Sequence, residues 1–198
     1  MKKKSISATI LILFMSLFFA IVGSSFYYFE YWGKRTLVES VGLIAEEGVQ
    51  LFHDEELTQK ANSLKLSDME IGLKPATGEL DAETQIPSTI NDQGTSEGYY
   101  AIVYAVSKTG NFRVQLSNIK INSNHDELLI DDERKNIFVG VKDLKNSVKT
   151  LENDGVEICR YNDATKPVKI TFLIWLGSLA SDELEGAKIS FDVKFVGI

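Results

Sequence analysis

The stretch Ala187-Lys188-Ile189-Ser190-Phe191-Asp192-Val193-Lys194-Phe195 alternates apolar and polar side chains without a break. Successive side chains on a strand point to opposite faces, so this period of two predicts a β-strand with one buried and one wetted side. A few residues upstream the pattern recurs. Val168, Ile170, Phe172, Ile174 and Leu176 alternate with Lys169, Thr171, Leu173 and Trp175. Here Leu173 and Trp175 make the second face apolar as well, which predicts packing on both sides.

Working outward, Phe112, Val114 and Leu116 begin a further strand, and Ile119 and Ile121 continue it on the opposite parity. Restoring one buried face requires an extra residue, so a bulge is expected near Ser117 and Asn118. Residues 99–106 are apolar almost throughout and read as a central strand covered on both faces. Weaker strands are expected at 69–74, 137–141 and 156–161. Turn chemistry separates them: Pro75 with Gly78, Asn91 to Gly94, Gly110-Asn111, Asp154-Gly155 and Pro167. With no helical spacing between the strands, residues 64–198 are expected to form an antiparallel β-sandwich of jelly-roll type.

Two further segments precede that domain. No charged side chain occurs from Ser5 to Phe29, and Lys2, Lys3 and Lys4 stand in front of this run. As a helix it reaches about 37 Å, against a hydrocarbon core of about 30 Å. Phe26, Tyr27, Tyr28, Phe29, Tyr31 and Trp32 close it as an aromatic belt. Residues 1–33 therefore read as a basic cytoplasmic tip and a transmembrane signal anchor, with the rest of the chain outside. A cleaved signal peptide is the alternative, with Gly23, Ser24 and Ser25 as the small residues at the cut. The chain is then secreted. One Cys and no Asn-x-Ser/Thr sequon fit a bacterial export product.

Residues 34–63 read as a helical connector. Thr36 and Glu39 have the spacing of a capping box, and Leu37, Val41, Ile44, Gly48 and Leu51 form one stripe. A long membrane helix leading into a β domain is the outline of a type IV pilin. The chain lacks that group's Gly before the apolar run and its Glu within it.

The strand pair Ile170-Thr171-Phe172-Leu173-Ile174-Trp175-Leu176-Gly177 and Gly186-Ala187-Lys188-Ile189-Ser190-Phe191 resembles the closing segment of exported β-sandwich proteins of Gram-positive bacteria, the matrix-fibre and camelysin-like group. The resemblance implies a jelly roll, export through the membrane and a role in surface fibres or matrix.

Composition narrows the chemistry. Lys and Arg number 21 against 28 Asp and Glu, a net charge of -7, which argues against nucleic acid as a partner. A single cysteine rules out an intramolecular disulfide and a cysteine-based zinc cluster. The histidines are His53, in His53-Asp54-Glu55-Glu56, and His125, and no H-E-x-x-H motif is present. Both read as solvated polar turns. A sortase-like transpeptidase needs a thiolate, a base and a separate Arg, but Cys159 is followed at once by Arg160, the last arginine of the chain. Cys159 reads as a structural cysteine.

Two binding readings remain. Asn124-His125-Asp126-Glu127 with Asp131-Asp132-Glu133 is an acidic patch in which calcium is conceivable, although its spacing matches no EF-hand. Tyr99, Tyr100, Tyr104, Tyr161 and Trp175 are the candidates for a sugar platform. No catalytic, cofactor or metal residue is assigned. The expected function is a non-catalytic, membrane-anchored protein in cell-surface structure, assembly or adhesion, with protein partners or self-assembly. A tethered carbohydrate-binding module, calcium-dependent or not, is the alternative.

Overall fold

A computed structural model describes residues 12–24, 35–46, 48–67, 72–90, 97–123 and 131–198. The chain divides into two units, Met1–Lys34 and Arg35–Ile198. In the first, residues 12–24 form a helix about 20 Å long. Ile12, Phe14, Leu17 and Phe18 on it are exposed. Among the described residues no helix is long and apolar enough to cross a membrane. The rest of the apolar run, at 5–11 and 25–29, lies outside the described residues, as does the whole aromatic belt.

The second unit is mainly β. Its strands are β1 (Leu37–Ala45), β2 (Val49–Phe52), β3 (Gly98–Ser107), β4 (Phe112–Asn122), β5 (Ile137–Val141), β6 (Lys149–Thr150), β7 (Glu157–Tyr161), β8 (Val168–Leu176) and β9 (Lys188–Gly197). They form a four-stranded sheet in the order β1-β9-β4-β7 and a five-stranded sheet in the order β2-β3-β8-β5-β6. β9, the strand with the strictest alternation, and β8 are interior members of the two sheets, where both edges must pair. The chain changes sheet at every step except β2 to β3 and β5 to β6. Gly48 (φ 93°) and Gly110 (φ 81°) make the first two of these turns in a conformation that costs other residues steric strain.

One apolar core draws on both sheets. β9 contributes Ile189, Phe191, Val193 and Phe195, and β8 contributes Ile170, Phe172, Ile174 and Leu176. Phe172 meets Phe195 edge to face with ring centres 6.3 Å apart. Phe195 in turn lies 5.8 Å from Phe112 of β4. β4 carries the expected bulge. Ser117 pairs Asp192 and Lys120 pairs Ser190, so β4 advances one residue more than β9. Asn118 adopts φ 54° there, which asparagine tolerates better than most residues. Past the bulge Ile119 is buried, so the apolar face is restored. β3 is interior as expected, with one face buried and the other half-buried.

Two expectations are corrected. Residues 34–63 are not a helical connector, because they hold β1 and β2, and from Arg35 onward they belong to the second unit. The cause is a bulge. Val38 pairs Ile189 and Ser40 pairs Ser190, so Glu39 is an extra residue in β1. It stretches the spacing of the buried Val38 and Val41 to three, which imitates a helical step, and Leu43 then resumes the period of two. The supposed capping pair is used otherwise. Thr36 Oγ1 donates to the Leu184 carbonyl at 2.6 Å, and Glu39 pairs with Lys188 at 2.8 Å.

Nor are the sheets wholly antiparallel, since β1 runs parallel to β9. Antiparallel neighbours follow from short hairpin connections, and no such connection ties the first strand to the last. The outer edges of β1 and β2 meet other parts of the chain through isolated bridges from Phe52 to Lys60, Gly42 to Ser63 and Thr36 to Leu73. Leu73 thus meets an edge within the expected strand 69–74, whose residues 69–71 lie outside the described residues.

Candidate functional site

The outward face of the five-stranded sheet is apolar where β8 presents Leu173 and Trp175. These form a second cluster with Ala76, Ile86 and Ile90, flanked by Tyr100, Phe138 and Val148. Phe138 of β5 stacks on Trp175 with ring centres 5.7 Å apart and planes 13° from parallel. A side chain at Gly140 would crowd the Trp175 ring at 3.2 Å, so glycine there makes room for the indole.

The cover is the loop over residues 75–90. Ala76 N–H donates to the Leu176 carbonyl at 2.9 Å, which ties the start of the loop to the end of β8. Asp81 shapes its tip. The Asp81 carboxylate accepts from Thr84 N–H (2.7 Å), Thr84 Oγ1 (2.9 Å) and Glu83 N–H (3.0 Å), the geometry of an Asx turn. Those bonds, the Thr84 N–H first, hold its carboxyl below the usual range. Ile86 and Ile90 then point back onto Trp175 and Leu173.

Between this loop and the β8–β9 connection lies a cleft of about 340 Å³. Trp175, Phe138 and Pro87 line it, and Asn136 brings polar groups to one side. Leu80 and Leu179 also line it and are 59% and 83% exposed. Asn136 Nδ2 donates to Glu133 Oε2 at 2.9 Å, and Ser181 N–H donates to the same oxygen at 3.2 Å. Burial alone would raise the Glu133 carboxyl. The hydrogen bonds from Asn136 and Ser181 outweigh it and hold the group below its ordinary value. This carboxylate therefore braces the connection that carries Leu179. Across the loop a second hollow of about 460 Å³ is lined by Asp81, Glu83, Lys142, Asp143 and Lys145, with Lys145 Nζ 3.1 Å from Glu83.

The residues singled out in the sequence are scattered. Cys159 is buried in β7, and burial, with the Glu157 charge, pushes its thiol up to about 12, so it is protonated at neutral pH. Arg160 pairs with Glu157 at 3.1 Å. His53 is half-buried, and burial, then Lys65, lowers its imidazole against the opposing pull of Asp54. Asp54 is spent on its own turn, accepting from Thr58 N–H at 2.9 Å and Gln59 N–H at 2.7 Å. Asn124, His125, Asp126 and Glu127 lie outside the described residues. Asp131 pairs with Arg134 at 2.8 Å. Among the described residues no group of three or more His, Cys, Asp or Glu is placed to hold a metal ion.

The aromatic candidates do not share one surface. Tyr99 is in the main core, Trp175 and Tyr100 are in the second cluster, and Tyr161 stacks on Phe112 at 5.1 Å. Trp175 is 2% exposed and offers no ring face for a sugar. Sequence reasoning missed the 75–90 loop and the two exposed leucines. The available signal was Leu173 with Trp175, an apolar pair that needs a cover.

No protein-family model matches this chain, and no curated protein and no solved structure matches it either.

Proposed function

We propose that this chain is a non-catalytic, exported protein in which the apolar run 5–29 anchors a β-sandwich at the outer surface of the cell membrane. Its work there is structural, in assembly or adhesion through protein contacts. The observation that carries the protein-contact reading is the cleft with exposed Leu80 and Leu179 at its lips. Contiguous apolar surface around a cleft marks an interaction site, whereas single exposed leucines do not.

Three further features support the reading. Lys2, Lys3 and Lys4 ahead of the run favour a cytoplasmic N-terminus. The likeness of the closing strand pair to the matrix-fibre and camelysin-like group suits a surface role. The thiol of Cys159 is buried and protonated, which is the wrong state for a nucleophile. A sugar-binding module would present ring faces to solvent, and the buried Trp175 withholds its own.

The test is fractionation with intact mass, combined with protease treatment of intact cells. A full-length mass in the membrane fraction and digestion of the β domain from outside are expected. A mass beginning near Ser24 in the medium replaces the anchor by a cleaved signal. A domain protected until the cells are lysed overturns the reading.

A further inference from the structure

Apolar and neutral polar side chains line the cleft between the 75–90 loop and the β8–β9 connection, and among the described residues no charged one does. The loop's carboxylates serve elsewhere, since Asp81 and Glu83 line the other hollow beside Lys142 and Lys145. A charged group entering the cleft gives up its water and meets no counter-charge there. The occupant is therefore uncharged.

Hydrogen-bonding capacity narrows it further. Asn136 is 9% exposed, and its amide N–H groups are spent on Glu133 Oε2 at 2.9 Å and on the Leu179 carbonyl at 3.4 Å. Gln85 spends its own on the Asp81 and Ala82 carbonyls, each at 3.3 Å. Both side chains line the cleft and have only a carbonyl oxygen left to offer, and among the described residues no donor reaches either oxygen. They call for an N–H or O–H from the occupant. The remaining lining is apolar, with Phe138 backed by Trp175 at 5.7 Å. Tyrosine and tryptophan are the neutral side chains that join a large apolar body to one donor.

We propose that this cleft takes a tyrosine or tryptophan side chain of a partner protein. The ring packs against Phe138, the donor meets the carbonyl oxygens of Asn136 and Gln85, and flanking apolar residues of the partner cover Leu80 and Leu179. The proposal rests on the assembly or adhesion reading above and names the anchor that the partner brings. A volume of about 340 Å³ stands at the low end of ligand pockets, which suits one large side chain. A free small molecule filling it leaves Leu80 and Leu179 in water, whereas a chain continuing past the anchor covers them. A second copy offers no such anchor from residues 35–198, where every aromatic side chain is buried or half-buried.

The experiment uses the full chain in neutral detergent, with detergent alone as the blank, and a fluorescein-labelled peptide of serines and leucines around one central tyrosine. Fluorescence anisotropy measures its binding at about 50 and 500 mM salt. Saturable binding that salt changes by less than about twofold is expected, because no charge is paired. Phenylalanine at the centre lacks the donor and binds about fivefold more weakly. Lysine or aspartate there weakens binding by about tenfold or more. Leu80→Ser with Leu179→Ser lowers affinity by about tenfold or more with an unchanged near-UV spectrum, because both side chains are exposed.

No saturable binding, equal binding of the tyrosine and phenylalanine peptides, preference for a charged centre, or equal binding by the double-serine variant overturns the proposal. So does displacement of the peptide by free 4-methylphenol at the peptide's own affinity, which makes the ligand a small molecule. Self-association in sedimentation that the double-serine variant abolishes overturns it as well. The protease assay on intact cells is independent of these results. A domain outside the cell with no peptide binding sinks the cleft proposal alone, whereas a domain inside the cell sinks the surface reading.

Discussion

Phe172 and Phe195 come from different sheets, are both fully buried, and meet edge to face at 6.3 Å. Removing either ring should therefore test whether the two sheets share their core at this point. Phe→Ala in a core costs about 3–5 kcal/mol, from lost transfer energy and the cavity left behind. A domain of this size has about 5–15 kcal/mol in hand, so each single variant should remain folded. With a urea slope of about 2 kcal/mol/M, a loss of about 4 kcal/mol moves the unfolding midpoint by about 2 M. The decisive quantity is the coupling. An edge-to-face pair adds about 0.5–1.5 kcal/mol beyond area burial, so Phe172→Ala with Phe195→Ala should cost less than the sum of the singles by that amount. Urea titration of the full chain in neutral detergent, followed by far-UV circular dichroism, measures all four states of the cycle. Phe138 sits in the second cluster, on the opposite side of the five-stranded sheet, and serves as the control. Its effect should add to that of Phe172→Ala within about 0.5 kcal/mol. If Phe172 and Phe195 are additive to about 0.3 kcal/mol, the inter-sheet contact contributes nothing and the packing argument fails.

Other residues give independent checks. The Cys159 thiol is raised in the folded state from 9.0 to about 12, so its contribution to stability is complete below pH 9 and is lost as the pH rises from there toward 12. Wild type should lose about 1.4 kcal/mol by about pH 10 relative to a Cys159→Ala chain, read from urea titrations at each pH; parallel curves refute it. The same burial predicts that a thiol reagent labels Cys159 only after unfolding, and rapid labelling of the native protein contradicts it. Thr36→Val deletes the 2.6 Å hydrogen bond to Leu184 and should cost about 1 kcal/mol, with faster hydrogen exchange along β1; an unchanged midpoint means the bond contributes nothing. Ser147 is fully buried, and its Oγ accepts from Val141 N–H at 3.0 Å and donates to the Leu144 carbonyl at 2.8 Å. Ser147→Ala should therefore cost about 1–3 kcal/mol in the same assay, and a loss under about 0.5 shows the groups find other partners.

The contrast between β9 and β1 shows what a sequence pattern transmits. β9 runs from Lys188 to Gly197 without an irregularity of its own, so its parity is visible in one dimension. β4 breaks parity at Asn118, but clear alternation before and after the break lets the bulge be inferred. β1 has its break at Glu39, close to its start, with too few residues ahead of it to establish a parity. A strand with an early bulge and a helix then produce the same three-residue step, and Thr36 with Glu39 completes a false cap. Burial separates them. A helix stripe through Leu37, Ile44 and Gly48 leaves out Val38, Leu43 and Val49, which are the buried positions.

The cleft was hidden for a different reason. Residues 75–90 have no period, because their fold is made by Asp81 bonding its own backbone and by Ile86 and Ile90 reaching a distant sheet face. Nothing local records which surface a loop will cover. The sheet records it instead. Leu173 and Trp175 lie on the side of β8 that solvent would otherwise meet, and burying a tryptophan there contributes several times what one methylene does. An apolar pair on the polar parity of a strand thus announces that a cover exists, and a short cover over a broad sheet face leaves a gap at its margin. Leu80 and Leu179 stand at that margin, which places the candidate site where the loop ends rather than where any motif begins.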